Sequence, residues 1–243
     1  MTFPRTIAPE ALDHLDPRDP RAQRSRHDLA RIHRVMGSRS IVAQAWQSLV
    51  PVWQASAPLN VLELGAGDGS LLLGVARCLG PHWPPVNLTL LDRQRTVRPS
   101  MLRAYTELGW TARVEVADAL AWAEAEEQPT HPHWDLITTS LFLHHFEDGL
   151  LQRLLRAIAQ RTRRFVACEP RRHWLALASS HLVGALGANA VTRADAVLSV
   201  RAGFQGQELS RLWPEQPADW SVQEYPGGLW SHCFCAQRTD PLP

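Results

Sequence analysis

The chain has 243 residues, with 25 Lys and Arg against 24 Asp and Glu and 45% hydrophobic residues. That length suits one large α/β domain with a full core, and a net charge of +1 leaves no whole-protein field for nucleic acid or a membrane surface. No apolar run approaches the roughly 18 residues of a membrane span, and the N-terminus lacks the apolar stretch of a secretory signal. Cys78, Cys168, Cys233 and Cys235 include no CxxC pair, so reduced thiols in a cytoplasmic protein are expected.

Residues 1–20 are rich in Pro, Asp and Arg and read as an irregular or loosely attached lead-in. From Arg21 to about Ala55 the pattern turns helical. Leu29, Ile32, Val35 and Met36 fall at helical spacing, and Ile41, Val42, Ala45, Trp46 and Leu49 repeat it after Gly37. From Leu59 onward short apolar runs at 59–64, 87–92, 112–117, 134–140 and 164–169 alternate with helical stretches near 70–79, 97–108, 119–126 and 148–161. Asp148 is a candidate N-cap for the last of these helices. This alternation predicts a doubly wound parallel sheet. Residues 171–219 carry helical patterning with interspersed glycines, and 220–225 and 231–237 read as two strands joined through Pro226-Gly227-Gly228. The expected division is a lead-in and cap helices over 1–56, then one domain over 57–243 in which 171–219 forms a lid.

The run Val61-Leu62-Glu63-Leu64-Gly65-Ala66-Gly67-Asp68-Gly69 is a buried strand that ends on an acidic residue and opens into a turn with alternating glycines. Glycine lets the backbone take positive φ and lets a ligand approach without a Cβ in the way. The helix that follows points unpaired N–H groups at the same place. A nicotinamide site needs G-x-G-x-x-G, whose last glycine allows close helix–strand packing under a pyrophosphate. Ser70 stands at that position.

The E-x-G-x-G-x-G pattern at this turn, followed by acidic residues at the next two strand ends, resembles the class I S-adenosylmethionine-dependent methyltransferases from about Leu59 to Gln237. Among them the chain looks like bacterial small-molecule enzymes of the quinone and polyketide kind. The resemblance implies a Rossmann-like seven-stranded sheet of order 3-2-1-4-5-7-6 with the last strand antiparallel, a helical cap, and S-adenosylmethionine as cofactor. Glu63, Gly65, Ala66, Gly67 and Gly69 would hold its methionine end, Asp92 with Arg93 its ribose, Asp118 and the Ala119 N–H its adenine. Ser140 and the following Leu141–Phe146 would close over the sulfonium and face the acceptor. The alternative on the residues alone is that Asp92 and Asp118 simply cap the helices after them, a reading that suits Asp118 better than Asp92.

His144 or His145 could remove a proton from an acceptor, His145 being the preferred one, or either could pack beneath the cofactor. Arg171 and Arg172 follow the fifth strand, where a cation could hold a carboxylate or phenolate. His173, Trp174 and Arg201 in the lid segment are further candidates for acceptor binding. His131 and His133 have no recognisable metal spacing around them, so no metal is expected. Ser140-Leu141-Phe142-Leu143 replaces the Asn/Asp-Pro-Pro-aromatic motif of methyltransferases acting on DNA amino groups. The expected reaction is methyl transfer to a small molecule, a hydroxylated aromatic or phenolic lipid, with no nucleic-acid partner and no stable membrane insertion. The alternatives are an NAD(P)-dependent oxidoreductase and a non-catalytic methyltransferase-like partner subunit, and the oligomeric state is open.

Overall fold

The structure, a computed structural model, describes residues 3–50, 57–125, 134–214 and 219–239. His131 and His133 lie outside these residues. After the short α1 (Ala11–His14), α2 (Pro20–Met36) starts at Asp19, whose carboxylate accepts from the Arg21 N–H, with proline in the first turn. It stops at Gly37, which takes φ 69° and sends its N–H back to the Arg34 and His33 carbonyls. The same glycine starts α3 (Ser38–Leu49). Trp46 on α3 is fully buried and stacks on Trp110 of the sheet with ring centroids 6.0 Å apart.

The sheet contains β1 (Leu59–Leu64), β2 (Val86–Asp92), β3 (Trp110–Val116), β4 (Leu136–Ser140), β5 (Arg164–Pro170), β6 (Trp220–Gly227) and β7 (Ser231–Arg238) in the order β3-β2-β1-β4-β5-β7-β6. β1 to β5 are parallel, and β7 runs antiparallel between β5 and β6. This is the expected sheet. β1, β2, β4 and β5 are buried along nearly their whole length because helices cover both of their faces, and most of their residues outside β4 are apolar. On one face Val42, Trp46, Leu72, Val75 and Tyr105 pack against the strands; on the other Leu151, Leu154, Ile158, Phe204 and Trp213 do so. These come from α3, α4 (Ser70–Leu79) and α5 (Pro99–Thr106) on the first face, and largely from α7 (Asp148–Arg161) on the second. The chain leaves β1 toward β2 on one side and returns through β4 on the other, so the strand order reverses at the carboxyl end of β1. Ligands of such sheets sit at that crevice.

Two expectations are corrected. Asp148 is the first residue of α7 rather than its cap, and its carboxylate instead pairs with Arg5 at 2.7 Å. The lead-in is not loosely attached. Arg5 donates to the carbonyls of Ala202 and Phe146 and lies 4.5 Å over the Phe204 ring. The Thr6 N–H donates to the Arg201 carbonyl, and the Ala11 and Leu12 N–H groups donate to the Asp195 carboxylate. Residues 3–14 therefore form a strap fastened to the lid segment, which consists of α8 (Trp174–His181), a 3-10 turn (Val183–Leu186) and α9 (Ala190–Ala202). After α9 the chain returns to the sheet, where Phe204, Leu209 of α10 (Glu208–Leu212) and Trp213 are buried. Among the described residues no helix is long and apolar enough to cross a membrane.

Cap and lid are joined through Asp28, buried on α2, which accepts from the Asn189 N–H at 2.8 Å at the start of α9 and pairs with Arg31. Asp28→Ala leaves that amide without its partner, and the loss should be about 1–3 kcal/mol of unfolding free energy, read from urea melts.

Candidate active site

At the carboxyl end of β1 the chain turns through Gly65, Gly67 and Gly69, all at positive φ. Gly65 has a packing reason as well as a conformational one, since a Cβ there would run into the Phe142 ring. At Gly67 (φ 55°) the space a Cβ would take is open. Its N–H donates to Asp92 Oδ2 at 2.9 Å, and Asp92 Oδ1 accepts from the Gln94 N–H at 2.8 Å. Asp92 thus locks the glycine turn from the neighbouring strand. Gly69 faces inward instead, its carbonyl accepting from the buried Tyr105 hydroxyl.

Glu63 is almost completely buried, and its Oε2 has no partner among the described residues. Burial, with Asp68 and Asp92 nearby, pushes its carboxyl well above the ordinary value of 4.5. Glu63, Gly65, Ala66, Gly67, Asp92, Arg93, Asp118, Ala119 and Ser140 all line one cavity of about 980 Å3. Asp118 Oδ1 caps α6 (Ala119–Glu124) by accepting from the Leu120 and Ala121 N–H groups. The capping role is real, and the residue still borders the cavity. Arg93 reaches across to the strap, donating to the Asp13 carbonyl at 2.8 Å.

The far end of the cavity is built by the segment after β4. Leu141 takes φ 53°, rare for a residue with a branched side chain, and a 3-10 turn (Leu143–His145) follows. Glu169, fully buried at the end of β5, accepts from the N–H groups of Phe142, Leu143 and His144 and from His144 Nδ1 at 2.8 Å. His144 Nε2 lies 3.4 Å from Glu10 of the strap. Burial alone would lower the His144 pKa, but Glu10 and Glu169 together raise it to about 9. His145 moves the other way, lowered by burial and by the His144 charge, and its Nδ1 is 3.5 Å from Asp13. At neutral pH His144 is therefore the cation of the pair, and His145 is the ring free to accept a proton.

Four expected acceptor residues lie elsewhere. Arg171 donates to the Gly228 carbonyl in the β6–β7 hairpin, His173 caps α8, Trp174 is 51% exposed and Arg201 points to solvent. None of them lines the cavity. Arg172 is buried but structural, donating to the carbonyls of Gly203 and Phe3 and pairing with Glu208. The lid instead contributes small and aliphatic side chains, including Ala176, Ser180, Val183, Leu186 and Val200. Glu10, Asp13 and Glu169 were not singled out from the sequence. Only Glu169 left a trace there, as an acidic residue ending an apolar strand.

The raised carboxyl of Glu63 has a measurable consequence. Above about pH 4.5 the folded protein holds a proton that the unfolded chain has released, so stability falls as pH rises toward the folded value. Glu63→Gln removes that loss. The variant should melt above wild type at pH 7, with the gap closing toward pH 4.5, as followed by calorimetric unfolding.

No protein-family profile matches the sequence, and no curated protein does. Solved structures do. The plantazolicin methyltransferase BpumL in complex with SAH aligns over 90% of this chain and 91% of its own with TM-score 0.63 at 14% identity. An O-methyltransferase family protein from Burkholderia thailandensis aligns over 95% of this chain and 62% of its own with TM-score 0.57 at 15% identity. Magnesium protoporphyrin IX methyltransferase (ChlM) from Synechocystis PCC 6803 with bound SAH aligns over 85% and 84% with TM-score 0.51 at 14% identity. The chain thus has the Rossmann-like fold of the class I methyltransferases.

Proposed function

We propose that this protein is an S-adenosylmethionine-dependent methyltransferase acting on a small molecule. The carrying observation is Glu63 Oε2, a buried carboxyl oxygen without a partner among the described residues, on a side chain that lines the same cavity as Gly67, Asp92 and Asp118. A cationic amino group is the natural complement of that oxygen, and the cofactor's methionine end carries one. In this reading Asp92 would hold the ribose and Asp118 with Ala119 the adenine, as all three line the cavity. When bound, S-adenosylmethionine supplies a methyl group on a positively charged sulfur.

The cavity is at the upper end of the roughly 300–1,000 Å3 typical of small-molecule sites, which leaves room for an acceptor beside the cofactor. Apolar lid and cap residues such as Leu29, Met36, Val183 and Leu186 surround it and favour a hydrophobic acceptor, in line with a hydroxylated aromatic or phenolic lipid. The strap and lid exclude water and orient the acceptor, and proximity of this kind carries much of a methyl transfer. His145, neutral and half-buried, is the group able to take the acceptor's proton.

Titration calorimetry against S-adenosylmethionine, S-adenosylhomocysteine, NAD and NADP tests this reading. Micromolar binding of the adenosyl compounds with no heat from the nicotinamides is the expected result. Binding of NAD or NADP alone would overturn it in favour of an oxidoreductase, and silence from all four in favour of a non-catalytic partner subunit. Asp92→Ala and Glu63→Gln should each weaken S-adenosylhomocysteine by about tenfold or more, as expected for a lost hydrogen bond to a charged group. His145→Gln should lower turnover while leaving cofactor affinity unchanged.

A further inference from the structure

Three side chains from two distant parts of the sequence converge at the acceptor end of the cavity. One ligand atom from each of Glu10, His144 and His145 lies within 4.8 Å of the others. Glu10 Oε1 and His144 Nε2 are 3.4 Å apart, close to the roughly 3.4 Å between neighbouring ligand atoms around a tetrahedral ion with bonds of about 2.1 Å. His144 Nε2 is buried and faces Glu10 without a close hydrogen bond, so a dication would replace the proton held between them. The opposite nitrogen, Nδ1, is held by Glu169 at 2.8 Å. That bond fixes the ring plane and leaves Nε2 as the open position, the arrangement by which a carboxylate backs a metal-ligating histidine. Asp13, beside His145, adds a third carboxylate to Glu10 and Glu169 around the same space. The nearby guanidinium groups are turned to other tasks, Arg5 to the His144 and Phe146 carbonyls and Arg93 to Asp13.

We propose that Glu10, His144 and His145 bind a first-row transition-metal dication of the Zn2+ class at the acceptor end of the cavity. Two imidazoles and one carboxylate suit such an ion better than Mg2+ or Ca2+, which take mostly oxygen ligands. Three protein ligands leave at least one coordination position toward the cavity, where all three residues are exposed to its interior. The ion's place in the reaction rests on the methyltransferase reading; its binding does not. Bound there, it would supply Lewis acidity to an acceptor hydroxyl, with Asp13 beside the site to take the proton. The oxygen's electron pair forms the new bond to the methyl carbon as the carbon–sulfur pair returns to sulfur. His145 is then a ligand rather than the base.

The test uses the full chain, stripped with EDTA and titrated with Co2+, which reports tetrahedral nitrogen and oxygen ligation by its visible absorption. Binding of one Co2+ per chain, displaced by Zn2+, is expected. Glu10→Gln and His145→Asn should abolish the visible band, and Glu169→Gln should weaken binding by about 10–100-fold. Folding of each variant is followed by circular dichroism and by its affinity for S-adenosylhomocysteine. No Co2+ band in the wild type, or equal bands in folded Glu10→Gln and His145→Asn variants, would overturn the site and leave Glu10, His144 and Glu169 as an ion-pair latch on the strap. Co2+ binding without S-adenosylhomocysteine binding would retain the site and overturn the methyltransferase reading instead.

Discussion

The Glu169 carboxylate is the contact on which both ends of the cavity depend. A buried carboxylate without partners would cost several kcal/mol, and this one is satisfied by the amides of Phe142, Leu143 and His144 and by the His144 ring. It thereby holds a backbone that would not otherwise form. Leu141 at φ 53° is a conformation costing on the order of 1–3 kcal/mol, and hydrogen bonds to a charged acceptor, about 1.5–3 kcal/mol each, offset it. With the turn held, the Phe142 ring closes against Gly65, so the glycine turn after β1 and the turn after β4 form one floor. The same carboxylate orients His144 toward the strap. One side chain at the end of β5 therefore couples the glycine-turn end of the cavity to the strap end.

The strap is the second half of this construction. Its exposed ion pair, Arg5 with Asp148, contributes little by itself, because Asp148 is 72% exposed and such pairs are screened. Most of its attachment is through groups that water reaches poorly. Arg172, almost fully buried, takes the Phe3 carbonyl, and Asp195 takes two amides at the start of α1. α9 recurs in these contacts: its start bonds Asp28 of the cap, its middle holds α1, and Arg201 near its end holds Thr6. Cap, strap and lid are thus one wall organised around α9, which explains how an irregular N-terminal sequence can be ordered without a core of its own.

The sheet and the glycine turn were legible in the sequence because both follow from local pattern. Buried parallel strands must be apolar along their length, and a turn that needs positive φ at alternate positions needs glycine there. The strand order came from the family resemblance rather than from any pattern. The lid side of the cavity was not legible. Trp174, His173 and Arg201 drew notice because they are large or charged, whereas the cavity side of the lid carries Ala176, Ser180 and Val183, since space left for a ligand requires small side chains. α8 is apolar on nearly all sides, so its sequence gives no phase to decide which face turns inward. Glu10 was hidden for a different reason. A Pro- and Asp-rich lead-in has the composition of a disordered segment, and its order comes entirely from contacts with residues far along the chain.

The way this protein treats its buried ionisable groups separates scaffold from site. At the far edge of the sheet, Glu224 accepts from the Leu209 and Ser210 amides, the Ser210 hydroxyl and His232 at 2.7 Å, so its oxygens are well supplied. A carboxylate–histidine pair can therefore be buried in this fold with its needs met. At the cavity the same elements are left incomplete: among the described residues Glu63 Oε2 and His33 Nε2 have no partner and His144 Nε2 has only Glu10 at 3.4 Å, and all three residues line it. Arg39, under α4, is the other buried ionisable group so left among the described residues. An unsatisfied polar atom costs about 1–3 kcal/mol. Others of this kind, on Ser38, Trp46, Trp83, Thr138, Thr139 and Trp213, lie away from the cavity, but at the cavity what binds there can supply the missing partner. The positions then distinguish two kinds of partner. Glu63 asks for a donor or a cation beside the glycine turn, whereas His144, facing Glu10 across 3.4 Å, is held as a cation at the other end, so the two ends of the cavity are chemically unlike and impose a direction on whatever lies between them.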